Sequence, residues 1–484
     1  MKAWRVAAPL VFALVAAGTV AARAQGFDTP PLPGAPRPIG IAAPTELRLP
    51  NGLRVVLAER RGVQLVTARL VLLSGSEADP PQRAGLASLT AALLTKGTRR
   101  YSATALARAA ESLGGALESG ALWHQSEVAI TVTSPRLDEA LGLVAEAVQH
   151  PRFDQAELQR LRAQTLDELK LAYAEPGTLA TYASQHLLFG AGAYGHPAGG
   201  TPASLVRIRR ADLLALHTAR YRPDEAVLVF AGDVDADTAL LLARRHFGAW
   251  RSTRGAAAPT PPAGAALTPG TAVIDMPQAG QAAVVLAAPV PPLGSDRATA
   301  AVLNAVLGGG FSSRLSQEIR IKRGLSYGAF SQLDARALGG ALRLVVQTKN
   351  ESAAEVATLL RAELDRIAAE PVPEAELAAR KAALIGGFGR GIETTAGLSL
   401  TVKALIVAGV PSAELRTRPA ALAAVRADEV QRYAAANLGA ARRRLVVAGD
   451  AARFTEALKA GAPGLVTVPA GALDLERSDG LTAR

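Results

Sequence analysis

The stretch Ala84-Gly-Leu-Ala-Ser-Leu-Thr-Ala-Ala-Leu-Leu-Thr-Lys-Gly-Thr98 decides how the chain is read. Leu86, Leu89, Leu93 and Leu94 recur at helical spacing and mark a stripe that faces a core. Ser88, Ala91 and Ala92 fall at i, i+3 and i+4, which places them side by side on a second strip, expected to be exposed. All three are small and uncharged. A helix is therefore expected, with one face for packing and one face empty of chemistry.

The surrounding chain bounds what such a helix belongs to. The sequence has 484 residues, 49% of them hydrophobic, which is too long for one core and suggests two or three domains. Met1 to Ala24 reads as a secretory signal, with Lys2 and Arg5 before an apolar run and Ala22-Arg23-Ala24 as a small-x-small cleavage site. The alternative, an uncleaved anchor, fits the short run less well. Removing Lys2, Arg5 and Arg23 lowers the formal charge from +11 to +8. That charge is spread over many arginines with no basic run interleaved with aromatics, which argues against nucleic acid as a partner. No later segment is long and apolar enough to span a bilayer, so a periplasmic or secreted protein is expected. The chain has no cysteine, which excludes disulfides and thiolate metal sites.

Residues 25–44 are rich in proline and read as an extended leader. Strands are expected at Leu53 to Ala58, at Val63 to Leu73 and around Val128, Ile130 and Val132, with helices over Leu137 to Val148 and Ala156 to Ala174. Strands mixed with longer helices indicate an α+β domain. A second copy is signalled by repetition. Ala211-Asp212 and the strand Val227-Leu-Val-Phe-Ala-Gly-Asp233 recur as Ala427-Asp428 and Leu445-Val-Val-Ala-Gly-Asp450, and Ala156-Glu-Leu158 recurs as Ala375-Glu-Leu377. The offsets are about 216 to 219 residues along the chain, a domain-sized period. Residues 251–270 are dense in Ala, Pro and Gly and read as the linker. The expected domains are thus 45–250 and 271–484.

Four further stretches complete the pattern. They are Leu187-Leu-Phe-Gly190 with His196-Pro197 and Gly200, Tyr221-x-Pro223 leading to Ala231-Gly-Asp233, Gly308-Gly-Gly-Phe-Ser-Ser-Arg-Leu315, and Arg320-Ile-Lys-Arg-Gly-Leu-Ser-Tyr327. Together with the opening helix, in this order and spacing, they resemble the pitrilysin, insulin-degrading-enzyme and mitochondrial-processing-peptidase family, the inverzincins. The resemblance covers nearly all of the chain after the leader. It implies two homologous α+β domains, each a mixed sheet covered by helices, arranged as half of a clamshell.

In that family the pattern His-x-x-Glu-His puts two zinc ligands and a general base on one helix, and a Glu on a later helix is the third ligand. Here Ser88, Ala91 and Ala92 stand at the three motif positions, and the family spacing counted from Ala92 reaches Glu168. On its residues alone Glu168 reads as a solvated charge, since one carboxylate cannot hold zinc. None of the six histidines, His124, His150, His186, His196, His217 and His246, lies three to five residues from another, so no helical ligand pair replaces the lost one. No metal and no cofactor are expected in this chain.

The second half keeps more of the pattern. Arg320 and Tyr327 match the Arg/Tyr pair with which active family members bind substrate and stabilise the transition state. A guanidinium and a phenol suit a peptide carbonyl that gains negative charge during hydrolysis. By composition alone they are a surface cation and the first residue of a strand after Gly324. Gly308, Gly309 and Gly310 resemble the family's glycine-rich segment, where missing side chains let a peptide backbone approach. The alternative is a plain turn between helices.

A lost zinc motif beside a retained Arg/Tyr pair implies the non-catalytic, substrate-binding subunit of a heterodimeric zinc endopeptidase, with the zinc in a homologous partner. A structural scaffold of the same fold without a proteolytic role is the second reading. A peptidase with unorthodox ligands is the third.

Overall fold

A computed structural model describes residues 40–251, 270–294, 296–462 and 464–477, together with Leu481. The expected signal, most of the leader and nearly all of the linker lie outside the described residues. Ile41–Arg484 folds as one compact unit containing two six-stranded sheets.

The first sheet is built from β1 (Thr45–Arg48), β2 (Arg54–Glu59), β3 (Leu65–Leu72), β4 (Glu118–Ala121), β5 (Ser126–Thr133) and β6 (Ala226–Gly232), in the order β1-β2-β6-β3-β5-β4. β2 and β6 run parallel, and the other pairs are antiparallel. Its helices are α1 (Leu86–Leu93), α2 (Ala103–Ser112), α3 (Leu137–Gln149), α4 (Gln155–Ala174), α5 (Pro176–Phe189), α6 (Pro202–Arg207), α7 (Arg210–Arg220) and α8 (Ala236–Phe247). The second sheet comprises β7 (Thr271–Asp275), β8 (Ala282–Val290), β9 (Ala329–Arg336), β10 (Gly339–Thr348), β11 (Arg444–Gly449) and β12 (Val466–Pro469), in the order β12-β7-β11-β8-β10-β9. Its helices are α9 (Arg297–Gly308), α10 (Ala353–Ala369), α11 (Glu374–Gly391), α12 (Thr395–Val407), α13 (Glu414–Ala424), α14 (Ala427–Asn437) and α15 (Thr455–Lys459).

The duplication read from sequence is visible strand by strand. β7 pairs parallel with β11, and β11, β8, β10 and β9 follow antiparallel, as β2, β6, β3, β5 and β4 do in the first half. Only the edge differs: β1 lies antiparallel to β2, whereas β12 lies parallel to β7.

β3 explains how each sheet is covered. Its alternation sends Val66, Ala68, Leu70 and Leu72 into the first core and Thr67 and Arg69 to the opposite face. That second face is also buried, with Thr67 1% and Arg69 5% exposed, because α12 of the second half lies on β3 and β6. Thr67 Oγ1 donates to Thr395 Oγ1 at 3.3 Å and Arg69 Nε to Ser399 Oγ at 3.0 Å. Glu127 takes both Arg69, at 2.9 Å, and Lys403 of α12, at 3.2 Å. In return α5 of the first half packs on the second sheet, with Leu179, Ala180, Ala183 and Leu187 against Ile274, Val285 and Val446. α5 and α12 hold equivalent places in the two halves, so the cover is exchanged.

Candidate functional site

α1 forms where its sequence places it. Leu86, Leu89 and Leu93, and Leu94 just beyond, are buried in the first core, each worth roughly 1.5–3 kcal/mol. Asp79 caps its start, accepting from the backbone N–H groups of Gly85 and Ala87 at 2.9 Å each. Burial holds the Asp79 carboxyl well above the ordinary carboxylate range. Gly85 adopts φ +90°, and a Cβ there would lie 2.6 Å from the Gly199 carbonyl oxygen. The helix start is therefore locked against the loop 195–200.

The strip expected to be exposed is not. Ala91 is fully buried at 0% exposure, and Ser88 and Ala92 are only partly open. The loop that carries His196-Pro197 reaches Ser88: its Ala198 carbonyl accepts from Ser88 Oγ at 3.1 Å and from Ser76 Oγ at 2.9 Å. α1 packs against α4, which carries Glu168. Glu168 itself is exposed and accepts from Gln164 Nε2 at 2.9 Å. Two methyl groups, a hydroxyl already bonded to the backbone and one solvated carboxylate do not fit zinc, which needs three nitrogen, sulfur or carboxylate donors converging on one point. Among the described residues no three His, Cys, Asp or Glu side chains are grouped to hold a metal ion.

Beside this loop lies a cluster that the sequence pattern did not single out as a group. His124 Nδ1 is 3.9 Å from Glu77 Oε2, and His124 Nε2 meets the Tyr194 hydroxyl, which also accepts from Leu338 N at 3.2 Å. The Arg336 guanidinium lies over the rings of Trp123 and Tyr194, at 4.3 and 4.6 Å from their centroids. Burial pushes the Glu77 carboxyl up to about 7, against the backbone N–H groups that favour its anion. Burial, with Arg336 nearby, pushes His124 down to about 4. Tyr194 rises to about 12, again by burial first. His196 is buried with Nδ1 3.0 Å from the Pro197 carbonyl, so it shapes the loop. The sequence signal was the acidic Glu77-Ala-Asp79 just before the helix, read only once its partners are in place.

The second-half pair is brought together. Arg320 sits on a π-helical turn, Ser316–Ile321, a form that often marks functional sites. Its guanidinium lies between two rings, 4.2 Å from the centroid of Phe311 and 4.6 Å from that of Tyr327. The carboxylate nearest in sequence, Glu318, is taken by Lys322 and Arg323, and no carboxylate among the described residues pairs with Arg320. Gly324, at φ +62°, reverses the chain. Tyr327 does not start the strand: β9 begins at Ala329, and Tyr327 stands before it, 88% exposed. It lines a groove of about 500 Å³ between α5 and the β9–β10 edge, with Thr178, Tyr182, Gln281, Gln332 and Gln347.

The three glycines divide. Gly308 belongs to α9 rather than to a loop, and a Cβ there would meet Ser331 N at 2.1 Å. Its missing side chain serves the packing of α9 on β9. Gly309 would strike Ala305 of its own helix, at 2.6 Å, whereas Gly310 is exposed with open space around it. Gly309 and Gly310 are both exposed, and of the three only Gly310 has open space where a Cβ would lie. No hydrogen bond, ion pair or ring contact among the described residues joins the α1 strip to Arg320 or Tyr327.

Comparison with known proteins gives a consistent result. Residues 54–191 match the model of the insulinase family, peptidase family M16, and residues 207–384 match the peptidase M16 inactive domain. An uncharacterized zinc protease of Mycobacterium tuberculosis is 32% identical over 359 residues, covering 74% of this chain and 82% of that protein. A non-peptidase homolog of Helicobacter pylori is 25% identical over 313 residues, covering 63% and 72%. The crystal structure of a peptidase M16 inactive domain from Pseudomonas fluorescens superposes with a TM-score of 0.77 at 25% identity, covering 84% of this chain and 98% of that one.

Proposed function

We propose a function from the premise that this chain belongs to the M16 peptidase family: it is the non-catalytic, substrate-binding subunit of a zinc-dependent endopeptidase whose metal sits in a homologous partner. The observation that carries this reading is the contrast between the two sites. The α1 strip carries no histidine or carboxylate, whereas Arg320 lies against Phe311 and Tyr327 with no carboxylate partner among the described residues. A guanidinium stacked on two rings loses little entropy when it binds. The phenol beside it supplies a second donor, and both strengthen as charge gathers on a peptide carbonyl.

The groove at Tyr327 suits an extended peptide. The amides of Gln281 and Gln332 line it and can pair with backbone N–H and C=O groups, and α5 closes one side. The partner supplies the hydrolytic centre, and this chain supplies orientation and charge complementarity. Peptides or unfolded proteins outside the cytoplasm are the substrates, in keeping with the signal-like start of the sequence. Among the described residues no helix is long and apolar enough to cross a membrane.

The test is a reconstituted pair. Tyr327→Phe lowers turnover of an unstructured peptide about 10²-fold to 10³-fold without changing assembly, because one donor is lost. Arg320→Ala costs at least as much and also raises KM, since the guanidinium holds the carbonyl before reaction. Complex formation is confirmed by size-exclusion chromatography. Unchanged rates in both variants would leave this protein a scaffold.

A further inference from the structure

A second cavity lies elsewhere, in the second half, and is unrelated to the Arg/Tyr pair. It has a volume of about 780 Å³, inside the range of about 300–1,000 Å³ usual for small-molecule sites. Its walls come from α9, α11, α12 and α13 and from β9, and they are mainly apolar, with Ala301, Leu333, Leu384, Phe388, Leu400 and Leu405 among them.

Two guanidiniums, Arg297 and Arg418, face this space. Arg297 is bonded to Glu414. Arg418 has no carboxylate or hydrogen-bond partner among the described residues. Burial alone lowers its proton affinity, and its charge in turn bears unfavourably on Arg297. Among the described residues the carboxylate lining the cavity is Asp296, and Tyr433 is pushed up to about 12 by burial first and by the Asp296 charge second. A guanidinium does not deprotonate under these conditions, so its desolvation is uncompensated until an anion arrives.

Two further polar atoms on the wall are already engaged. Asn304 Oδ1 accepts from Ser331 Oγ at 2.8 Å, and Thr401 Oγ1 donates to Gly397 O at 2.9 Å. A peptide would bring several N–H and C=O groups that find few partners here, each costing free energy when buried. An alkyl chain brings none. We propose that this cavity binds a single-chain alkyl carboxylate, its tail among the leucines and Phe388 and its carboxylate on Arg418.

Calorimetric titration of the full chain with decanoate, and with decan-1-ol of equal length, tests this. Decanoate is expected to bind at one site per chain, at least about tenfold tighter than decan-1-ol, since a charge-assisted contact is worth about tenfold to a hundredfold. Arg418→Met weakens decanoate by that factor and leaves decan-1-ol within about twofold. Ala404→Trp, which fills the space from α12, removes both. Absence of decanoate binding, equal affinity for acid and alcohol, or indifference to Arg418→Met overturns the proposal. So does tighter binding of acetyl-trileucine than of decanoate, which assigns the cavity to a peptide terminus. Circular dichroism verifies that each variant folds, and if one does not, the acid-to-alcohol ratio in the wild type still decides.

Discussion

Replacing Glu77 by Gln makes the protein more stable at alkaline pH and leaves it unchanged in acid. The side chain of Glu77 is only 11% exposed, and burial raises its carboxyl from 4.5 to about 7. Between those values the folded chain holds a proton that the unfolded chain has released. Folding therefore binds protons, and stability falls as pH rises from about 4.5 to about 7. Above that window the full cost of ionising a buried carboxylate is present, about 3 kcal/mol. Glutamine has nearly the same shape, stays neutral, and can still accept the Gly75 N–H that now reaches Glu77 Oε2 at 2.9 Å.

His124 acts in the opposite sense. Its folded value near 4 lies below the ordinary 6.5, so the stability it contributes is lost as pH falls from about 6.5 towards 4. Both proteins share this term, and the difference between them isolates Glu77. Urea midpoints followed by tryptophan fluorescence, to which Trp123 in the cluster contributes, measure it from pH 4 to 8.5. The variant's midpoint should match the wild type near pH 4 and exceed it by about 1 M at pH 8, for a slope of about 3 kcal/mol per molar. A difference that stays flat across this range, or a glutamine variant that is weaker at pH 8, refutes the reasoning.

Three other outcomes follow from the geometry. Gly85→Ala combines a left-handed backbone with a Cβ 2.6 Å from the Gly199 oxygen and should cost about 3 kcal/mol or more, read as a lowered melting temperature. Arg69→Met strips one cation from Glu127 but leaves Lys403, so the loss should sit near the lower end of the 3–5 kcal/mol typical of a broken buried pair, about 3 kcal/mol by chemical denaturation. Metal analysis of the purified chain should find no stoichiometric zinc, and the triple change Ser88→His, Ala91→Glu, Ala92→His should lower the melting temperature rather than create a site, because Ala91 has no room for a carboxylate; one zinc per chain in either protein contradicts this.

The duplicated fold was legible because it repeats in the backbone signals of strands and caps, which are local. The helix of Leu86 to Leu93 was legible for the same reason, whereas the pairing of Arg320 with Tyr327 came from the family resemblance and not from spacing or composition. What escaped depends on distant segments. Ala91 and Ala92 read as an exposed strip since nothing nearby in sequence covers them, and the segments that pack on their helix, β4, β5, α4 and α7, all lie further along the chain. Tyr327 looked like a strand residue by its type and by Gly324 before it, but the pairing of β9 with β10 begins at Ala329. Glu77, His124 and Tyr194 are scattered along the first half, so no spacing rule gathers them. α12 has apolar and small residues around most of its circumference and announces no preferred side, which hid its place on the first sheet.

That exchange of helices means that neither half owns a complete surface. A fragment ending at the linker would expose the face of β3 that bears Thr67 and Arg69, and the other fragment would expose Ile274, Val285 and Val446. Each alone is expected to aggregate, whereas a chain nicked between residues 251 and 270 should stay together through α5 and α12. The order of assembly is constrained as well. α5 leaves the ribosome well before the sheet it covers exists, so the amino-terminal half waits, with an apolar helix unclothed, until the last strands of the carboxyl-terminal half are made.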